Sequence, residues 1–296
     1  MTANEITIQD KRFHTYIVDK PLEIIVNFFP APLRIIAETL WYRARRREGN
    51  NFLTTLSLMA ALKLTWPDFL YRGGFALLLN IYVYLINDYC DVEIDIASAD
   101  KDRGKTVFLK EHRKAAKAAL FFLALVLGIA GILHSPLLFI CFLANTVIVY
   151  SYSAWFKRMP YLDVVAMVIC GITMSLAAIP QNNAIAYRYL VVLGLICAAY
   201  EVVQIIRDEP EDRLAGIRTT AVRLGLFRAR LIFVFLAILA AVYAYFIIHS
   251  LAGLLFLAAA AVPLSSKNAS RAWDILRLIF GTAWLLMMAE LWARGR

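Results

Sequence analysis

Long apolar stretches separated by short polar segments dominate the hydrophobic pattern of this chain. Eight of them are nearly free of charge, and most could cross the roughly 30 Å hydrocarbon core of a bilayer as helices. A ninth is shorter and contains Lys63. None alternates strictly between apolar and polar residues, which favours helices over the strands of a membrane barrel. The nine predicted crossings are residues 51–66, 73–90, 116–133, 137–156, 162–180, 188–206, 230–248, 251–264 and 272–293.

Composition supports the same fold class. The 296 residues are 61% hydrophobic and only 18% charged, and the mean hydropathy is +0.65. A soluble domain of this length could not bury so much apolar surface. The four cysteines lie in or beside apolar stretches without paired spacing, so we interpret them as small hydrophobic residues. The sequence therefore predicts an all-α, polytopic membrane protein with about nine transmembrane helices.

The amino-terminal part differs from the rest of the chain. Its first twenty residues are polar and lack the apolar core of a cleavable signal peptide. In residues 21–48, Pro30, Pro32 and Arg34 interrupt the apolar pattern, which favours an interfacial or broken helix over a membrane crossing. We therefore expect residues 1–50 to form a cytoplasmic or interfacial segment and residues 51–296 to form the transmembrane domain.

Basic residues predict how the chain is oriented. If the second crossing ends in the cytoplasm, 24 Lys and Arg residues fall in cytoplasmic segments and four fall outside. That skew agrees with the positive-inside rule, so the net charge of +9 indicates topology and not a nucleic-acid partner. It places two charged loops, predicted at 91–115 and 207–230, on the cytoplasmic side. We expect a bacterial inner-membrane protein whose active site faces the cytoplasm.

Two acidic motifs carry the candidate chemistry. "NDYCDVEID" at 87–95 and "QIIRDEPED" at 204–212 each place an amide, then two aspartates, at intervals of four residues. Residues at this interval share one face of a helix, although Pro210 is expected to end the second helix early. Asp88, Glu93, Glu209 and Glu211 are expected to point elsewhere, as surface charge. The candidate metal-site residues are Asn87, Asp91, Asp95, Gln204, Asp208 and Asp212.

This donor set favours a particular metal. Two facing groups of carboxylates would repel each other, and a divalent cation relieves that repulsion. Carboxylate and amide oxygens suit Mg²⁺, which keeps several waters and is often completed by phosphates of a substrate. Two motifs with the same spacing on one side of the membrane favour a Mg²⁺ site over solvated charge.

Basic residues near the motifs are candidates for binding a diphosphate, which needs cationic side chains on the oxygens that metal leaves free. Lys157 is the strongest candidate, because it ends a crossing on the same side as both motifs, and Arg158 is interpreted as a topology anchor. The further candidates are Lys101, Arg103 and Arg218, which follow the two motifs.

From about residue 50 the chain resembles the UbiA superfamily of intramembrane prenyltransferases. The resemblance is carried by "NDYCDVEID", by "YSAWFKR" and by "DEPED" followed by "GIRTTAVRLG". It implies a helical bundle around a central, lipid-open cavity with cytoplasmic cap loops, in which Mg²⁺ on both motifs binds a polyprenyl diphosphate. By position, it also implies catalytic roles for Asp91, Asp208 and Lys157, with Tyr152 near the allylic end of the donor.

Transfer of the prenyl group to a small aromatic or lipid-like acceptor is the leading functional hypothesis. A terpene cyclase of the same superfamily would ionise the same diphosphate without an acceptor. A transporter could also hold acidic residues in a membrane bundle, but its carboxylates should lie near the midplane on broken helices. The nine apolar stretches exclude the fold of the soluble prenyl synthases. Transfer to haem stays open, although no pair of histidines is placed to receive it.

Overall fold

The computed structural model describes residues 29–46, 48–97, 103–180 and 183–295, and all regular elements in these ranges are helices. Short 3-10 helices occur at Phe156–Arg158, Leu176–Ala178 and Leu251–Leu255. The α-helices of the described part are α1 (Ala31–Arg45), α2 (Asn50–Ala61), α3 (Trp66–Ala97), α4 (Arg103–Glu111), α5 (Arg113–His134), α6 (Pro136–Ala154), α7 (Leu162–Ser175), α8 (Ala184–Leu214), α9 (Thr220–Leu224), α10 (Leu226–Phe246), α11 (Phe256–Ala260) and α12 (Ala269–Ala293).

Six helices in the described ranges are long and apolar enough to cross a membrane: α3, α5, α6, α8, α10 and α12. Each contains most or all of one predicted crossing, and the all-helical membrane fold is confirmed. The count of nine crossings is not. Helix α2 has 12 residues, a length of about 18 Å, and the stretch 251–264 is divided between a 3-10 helix and the short α11. The predicted crossing at 162–180 is a 17-residue helical segment.

Helix α1 lies in the amino-terminal segment. It begins directly after Pro30 and carries Pro32 in its first turn, where the missing N–H would have no helical partner in any case. With 15 residues it is too short to cross a bilayer. It packs against α5 and α3. The rest of the predicted 21–48 helix, residues 21–28, lies outside the described residues.

The larger helices form a closed circuit of contacts. Helix α3 packs on α6, α6 on α7, α7 on α8, α8 on α12, and α12 on α2, which returns to α3. Helix α5 lies against α3 and α6, and α10 lies against α8. The carboxyl-terminal turns of α3 and α8 carry the two acidic motifs.

Both motif helices extend further than predicted. Residues 91–97 belong to α3, and most of the rest of the predicted 91–115 loop forms α4 and the start of α5. Likewise, 207–214 belong to α8, so the predicted 207–230 loop is mostly helical. The prediction that Pro210 ends its helix was wrong, because α8 continues through it to Leu214. Pro210 removes only one backbone donor, and Arg213 pairs with Glu209 across this turn.

Glycines allow α7 and α8 to approach each other closely. A Cβ atom on Gly194 would lie 2.7 Å from the carbonyl oxygen of Val168 and 2.8 Å from a side-chain carbon of Ile172. A Cβ atom on Gly171 would lie 2.7 Å from the carbonyl oxygen of Leu193. Small residues at such contacts are common in membrane bundles, because close backbone approach supplies much of the packing energy.

We expect the Gly194→Ala variant to be less stable by about 1–3 kcal/mol, because the backbone of α7 cannot move away from a new methyl group without separating the helices. Thermal unfolding of the purified protein in detergent would measure this as a lower Tm. Gly281→Ala is the matched control, since nothing lies within 4 Å of a Cβ atom there, and its Tm should be equal or higher. A Tm for Gly194→Ala equal to that of the control would contradict the packing argument.

Candidate active site

A buried ion pair lies at the centre of the candidate site. Helix α6 ends at Ala154, and the following 3-10 helix carries Lys157. Its Nζ atom donates a hydrogen bond of 2.8 Å to Oδ2 of Asp91 on α3, and the Asp91 side chain is only 1% exposed. The adjacent Arg158 is exposed, as expected of an anchor. The structure thus brings together Lys157, which was predicted to bind diphosphate, and Asp91, which was predicted to bind the metal.

Lys157 is also within electrostatic range of carboxylates on both motif helices. Asp95 on α3 acts on the lysine charge, and Lys157 in turn acts on Asp212 on α8. Carboxylates of both motifs therefore lie near Lys157, at the same end of the bundle.

The remaining residues of the first motif are held in place by their neighbours. Asp95 is buried, and the Oδ1 atom of Asn87 accepts a hydrogen bond of 3.2 Å from the hydroxyl of Ser153 on α6. The predicted shared face of Asn87, Asp91 and Asp95 follows from a continuous helix through all three positions.

The second motif is more accessible. Asp208 is about one-third exposed and pairs with the neighbouring Arg207 at 2.6 Å. Asp212 and Gln204 are partly buried on the same continuous helix. Within the described ranges, no three His, Cys, Asp or Glu side chains come together as a ready-made metal site.

The donor chemistry nevertheless fits Mg²⁺. The Oδ1 atom of Asp91 is buried and has no hydrogen-bond partner among the described residues, although such an atom normally has one. It is a hard oxygen acceptor beside Asp95, within the motif that faces Lys157. Mg²⁺ is usually bound by one or two carboxylates together with water and phosphate oxygens, so a preformed cluster of three carboxylates is not required.

Three predicted diphosphate ligands are not placed at the ion pair. Lys101 lies outside the described residues. Arg103 begins α4, and its side chain lies outside the described part of the structure. Arg218 is exposed in the short segment between α8 and α9. Their proposed contacts with diphosphate stay predictions.

Sequence reasoning missed one buried residue of the site, Glu201. The hydroxyl of Tyr152 donates to Oε1 of Glu201 at 2.7 Å, and both side chains are buried. Glu201 also acts on the charge of Lys157. An available signal was a lone acidic residue within the apolar stretch 188–206, two helical turns before Asp208, since ionisable residues inside membrane helices are generally functional.

Two acidic residues predicted to be surface charge are buried. Asp88 accepts hydrogen bonds from Arg43 and Lys105, each at 2.5 Å, and Glu209 pairs with Arg213. For Asp88 the prediction was wrong because it considered each helix alone. The cations that allow Asp88 to be buried come from α1 and α4. Glu93, in contrast, is exposed as predicted.

The segment that carries Lys157 is tied to the segment after the second motif. The backbone N–H of Tyr161, which has a positive φ of 68°, donates to the hydroxyl oxygen of Thr220 at 2.7 Å. The backbone N–H and the hydroxyl of Thr220 both donate to Asp163, the former at 2.7 Å. These bonds link the α6–α7 connection to the start of α9.

Comparison with known proteins identifies the family and the fold. The UbiA prenyltransferase family model matches residues 51–291. A solved structure concerning digeranylgeranylglyceryl phosphate synthase in membranes has a TM-score of 0.61 and 17% identity, covering 88% of this chain and 99% of that one. A UbiA homologue from Archaeoglobus fulgidus bound to GPP and Mg²⁺ has a TM-score of 0.58 and 17% identity, with 87% and 99% coverage.

The Archaeoglobus fulgidus UbiA homologue bound to DMAPP and Mg²⁺ has a TM-score of 0.54 and 15% identity, with 87% and 99% coverage. A search of curated proteins found no match. At these identities the solved structures establish a shared fold alone. The family model spans most of the chain and therefore establishes the family. The predicted resemblance is confirmed, and this integral membrane protein belongs to the UbiA prenyltransferase family.

Proposed function

We propose that the protein transfers a prenyl group from a polyprenyl diphosphate to a small aromatic or lipid-like acceptor within the membrane, in a Mg²⁺-dependent reaction that releases diphosphate. The observation that carries this proposal is the position of Lys157, bound to Asp91 and within electrostatic range of the second motif. The Archaeoglobus fulgidus homologues were solved with GPP or DMAPP and Mg²⁺, which supports a donor of this class.

The two motifs supply the oxygens for the metal. Asp91 and Asp95 lie in the last turns of α3, and Asp208 and Asp212 lie in the last turns of α8, with Asn87 and Gln204 one turn before each pair. We assign these six residues to Mg²⁺ sites shared with the diphosphate. When bound, Mg²⁺ supplies positive charge that stabilises the oxygens of the leaving diphosphate.

Lys157 binds the leaving group in this proposal. Its ammonium pairs with Asp91 at 2.8 Å, and it has two further protons that can be donated to diphosphate oxygens. A cation preorganised in a buried site stabilises the charge that develops as the carbon–oxygen bond breaks. Lys101, Arg103 and Arg218 are proposed to bind the remaining oxygens from the cytoplasmic side.

The prenyl tail then carries a carbocation-like centre. Tyr152 is buried, and its hydroxyl is held by Glu201, which fixes the orientation of the ring. An aromatic face stabilises a nearby cation, and we place Tyr152 beside the allylic carbon. Burial excludes water that would otherwise capture the cation. The acceptor attacks this carbon, and loss of a proton from the attacked position of the acceptor completes the transfer.

We propose that the site opens to the cytoplasm from a bacterial inner membrane. The distribution of basic residues supports this orientation. The ends of α3 and α8 carry the carboxylates on helices without a break at the membrane midplane, an arrangement that favours an enzyme over a transporter.

The function is tested directly by products. Purified protein is incubated with Mg²⁺ and prenyl diphosphates of several lengths, with and without a membrane extract, and the products are identified by mass spectrometry. We expect prenylated products only with the extract. A cyclic or rearranged terpene formed from the donor alone would replace this proposal with the cyclase. A donor that stays intact under all conditions would reject both.

Asp91→Asn and Asp208→Asn should each lower turnover by at least about 100-fold, because each removes a carboxylate from a proposed metal site. Diphosphate release measures turnover, and size-exclusion chromatography in detergent checks folding. EDTA should abolish activity in the wild type, and Mg²⁺ should restore it. Glu93→Gln is the control, since Glu93 is an exposed carboxylate between Asp91 and Asp95. Full activity in either aspartate variant would refute its assignment.

Lys157→Met should raise the apparent KM for the donor by roughly 10- to 150-fold, the equivalent of one charged hydrogen bond. Steady-state kinetics over a range of prenyl diphosphate concentrations measures it. Arg158→Met removes the neighbouring, exposed cation and should leave the KM unchanged. If both variants keep the wild-type KM and kcat, Lys157 serves only to neutralise Asp91.

A further inference from the structure

Three helices converge on the buried carboxylate of Asp88. Arg43 on α1 and Lys105 on α4 each donate a hydrogen bond of 2.5 Å to one of its two oxygens. All three side chains are largely buried, with exposed fractions of 15% for Arg43, 13% for Lys105 and 8% for Asp88. We call these three residues the Asp88 latch. Asp88 lies between Asn87 and Asp91, and the proposed function gives it no role.

Aromatic residues and a second carboxylate fix the cations of the Asp88 latch. Arg43 also donates to Glu48 and lies 4.2 Å from the ring centre of Tyr84, which precedes Asp88 by one turn of α3. The Tyr84 hydroxyl donates to the backbone oxygen of Glu48 at 2.6 Å. Lys105 lies 4.3 Å from the ring centre of Tyr42. Burial alone would lower the pKa of Arg43, but Asp88 and Glu48 raise it above its ordinary value, and the guanidinium stays charged.

The Asp88 latch adjoins the proposed metal site. Asp88, Arg43 and Lys105 line a small pocket whose wall also includes Asp95. Asp95 lies two turns beyond Asp88 on the same side of α3, and it is within electrostatic range of Lys157. The last turns of α3 therefore carry the Asp88 latch on one side and the proposed site on another, with Asp95 between them.

We propose that Arg43 is a positioning residue for the Mg²⁺ and diphosphate site, acting through Asp88 and the carboxyl-terminal turns of α3 that carry Asp91 and Asp95. This inference rests on the proposed function. It gives helix α1 a role in the reaction. Helix α1 precedes residues 51–291, which the family model matches. Groups that orient metal ligands from outside the coordination shell typically contribute 10- to 100-fold to metal affinity or activity.

A neighbouring ion pair provides the matched control. Lys110 on α4 donates to Glu93 on α3 at 2.7 Å, so it joins the same two helices, but both side chains are about half exposed. Exposed pairs contribute little. Lys110→Ala therefore removes a cation from α4 and an α3–α4 contact without affecting the Asp88 latch.

The test compares Arg43→Ala, Arg43→Lys and Lys110→Ala in the full chain. The first readout is the Mg²⁺ concentration that gives half-maximal diphosphate release from geranyl diphosphate in the presence of the membrane extract. The second is the increase in Tm caused by Mg²⁺ with inorganic diphosphate, which reports binding without turnover. We expect Arg43→Ala to need roughly 10- to 100-fold more Mg²⁺ and to lose most of the Tm increase. Arg43→Lys should recover part of both, and Lys110→Ala should match the wild type.

The outcomes separate this inference from the proposed function. A lower basal Tm in Arg43→Ala with unchanged Mg²⁺ dependence would mean that the Asp88 latch is only structural, and the inference would be overturned while the function stood. If Arg43→Ala does not fold, Arg43→Gln serves instead, because it keeps a hydrogen-bond donor and removes the charge that pairs with Asp88, and unchanged Mg²⁺ dependence in it overturns the inference equally. A wild type that consumes none of the prenyl diphosphates tested with the extract, and whose Tm does not respond to Mg²⁺ with diphosphate, would refute both.

Discussion

The ion pair between Lys157 and Asp91 is the interaction on which the candidate site depends. Both side chains lie at the end of a membrane bundle, where an unpaired charge is costly. Each comes from a different part of the chain, so their pairing holds the end of α3 against the segment that follows α6. The pair is incomplete in one respect, since Oδ1 of Asp91 has no partner among the described residues. An oxygen acceptor is thereby kept beside the lysine. In the proposed site, this oxygen would bind the metal and the lysine would bind the metal-bound anion.

The lengths of α3 and α8 determine where the acidic motifs lie relative to the membrane. Each has more than thirty residues, which is longer than the roughly 20 residues that cross a bilayer, and the surplus turns carry the acidic motifs beyond the apolar part of the helix. Carboxylates in those turns can reach a charged headgroup while the rest of the bundle stays in contact with hydrocarbon. The same division suits a substrate with a diphosphate at one end and a prenyl tail at the other.

The sequence predicted those features that depend on a single helix. The spacing of Asn87, Asp91 and Asp95 indicated a shared face because one helix contains all three, and the six long spans were visible as apolar stretches. It failed where burial is decided by distant segments. Asp88 and the exposed Glu93 are both acidic residues in the last turns of α3. Asp88 can be buried because Arg43, 45 residues earlier, neutralises its charge. Glu201 was hidden in the same way, because its partner Tyr152 lies on α6.

The connection between Lys157 and the second motif argues for a site that changes little when it binds its ligand. Asp163 and Thr220 fix the α6–α7 connection to the start of α9, and Tyr161 adopts a positive φ to make one of these bonds. A bulky residue in that conformation is strained and is kept only where surrounding contacts outweigh the strain. These bonds therefore fix the segment that carries Lys157 against the segment that follows the second motif helix. In the proposed site, one or two carboxylates from each motif helix would hold Mg²⁺ with the diphosphate, and this connection would need little rearrangement.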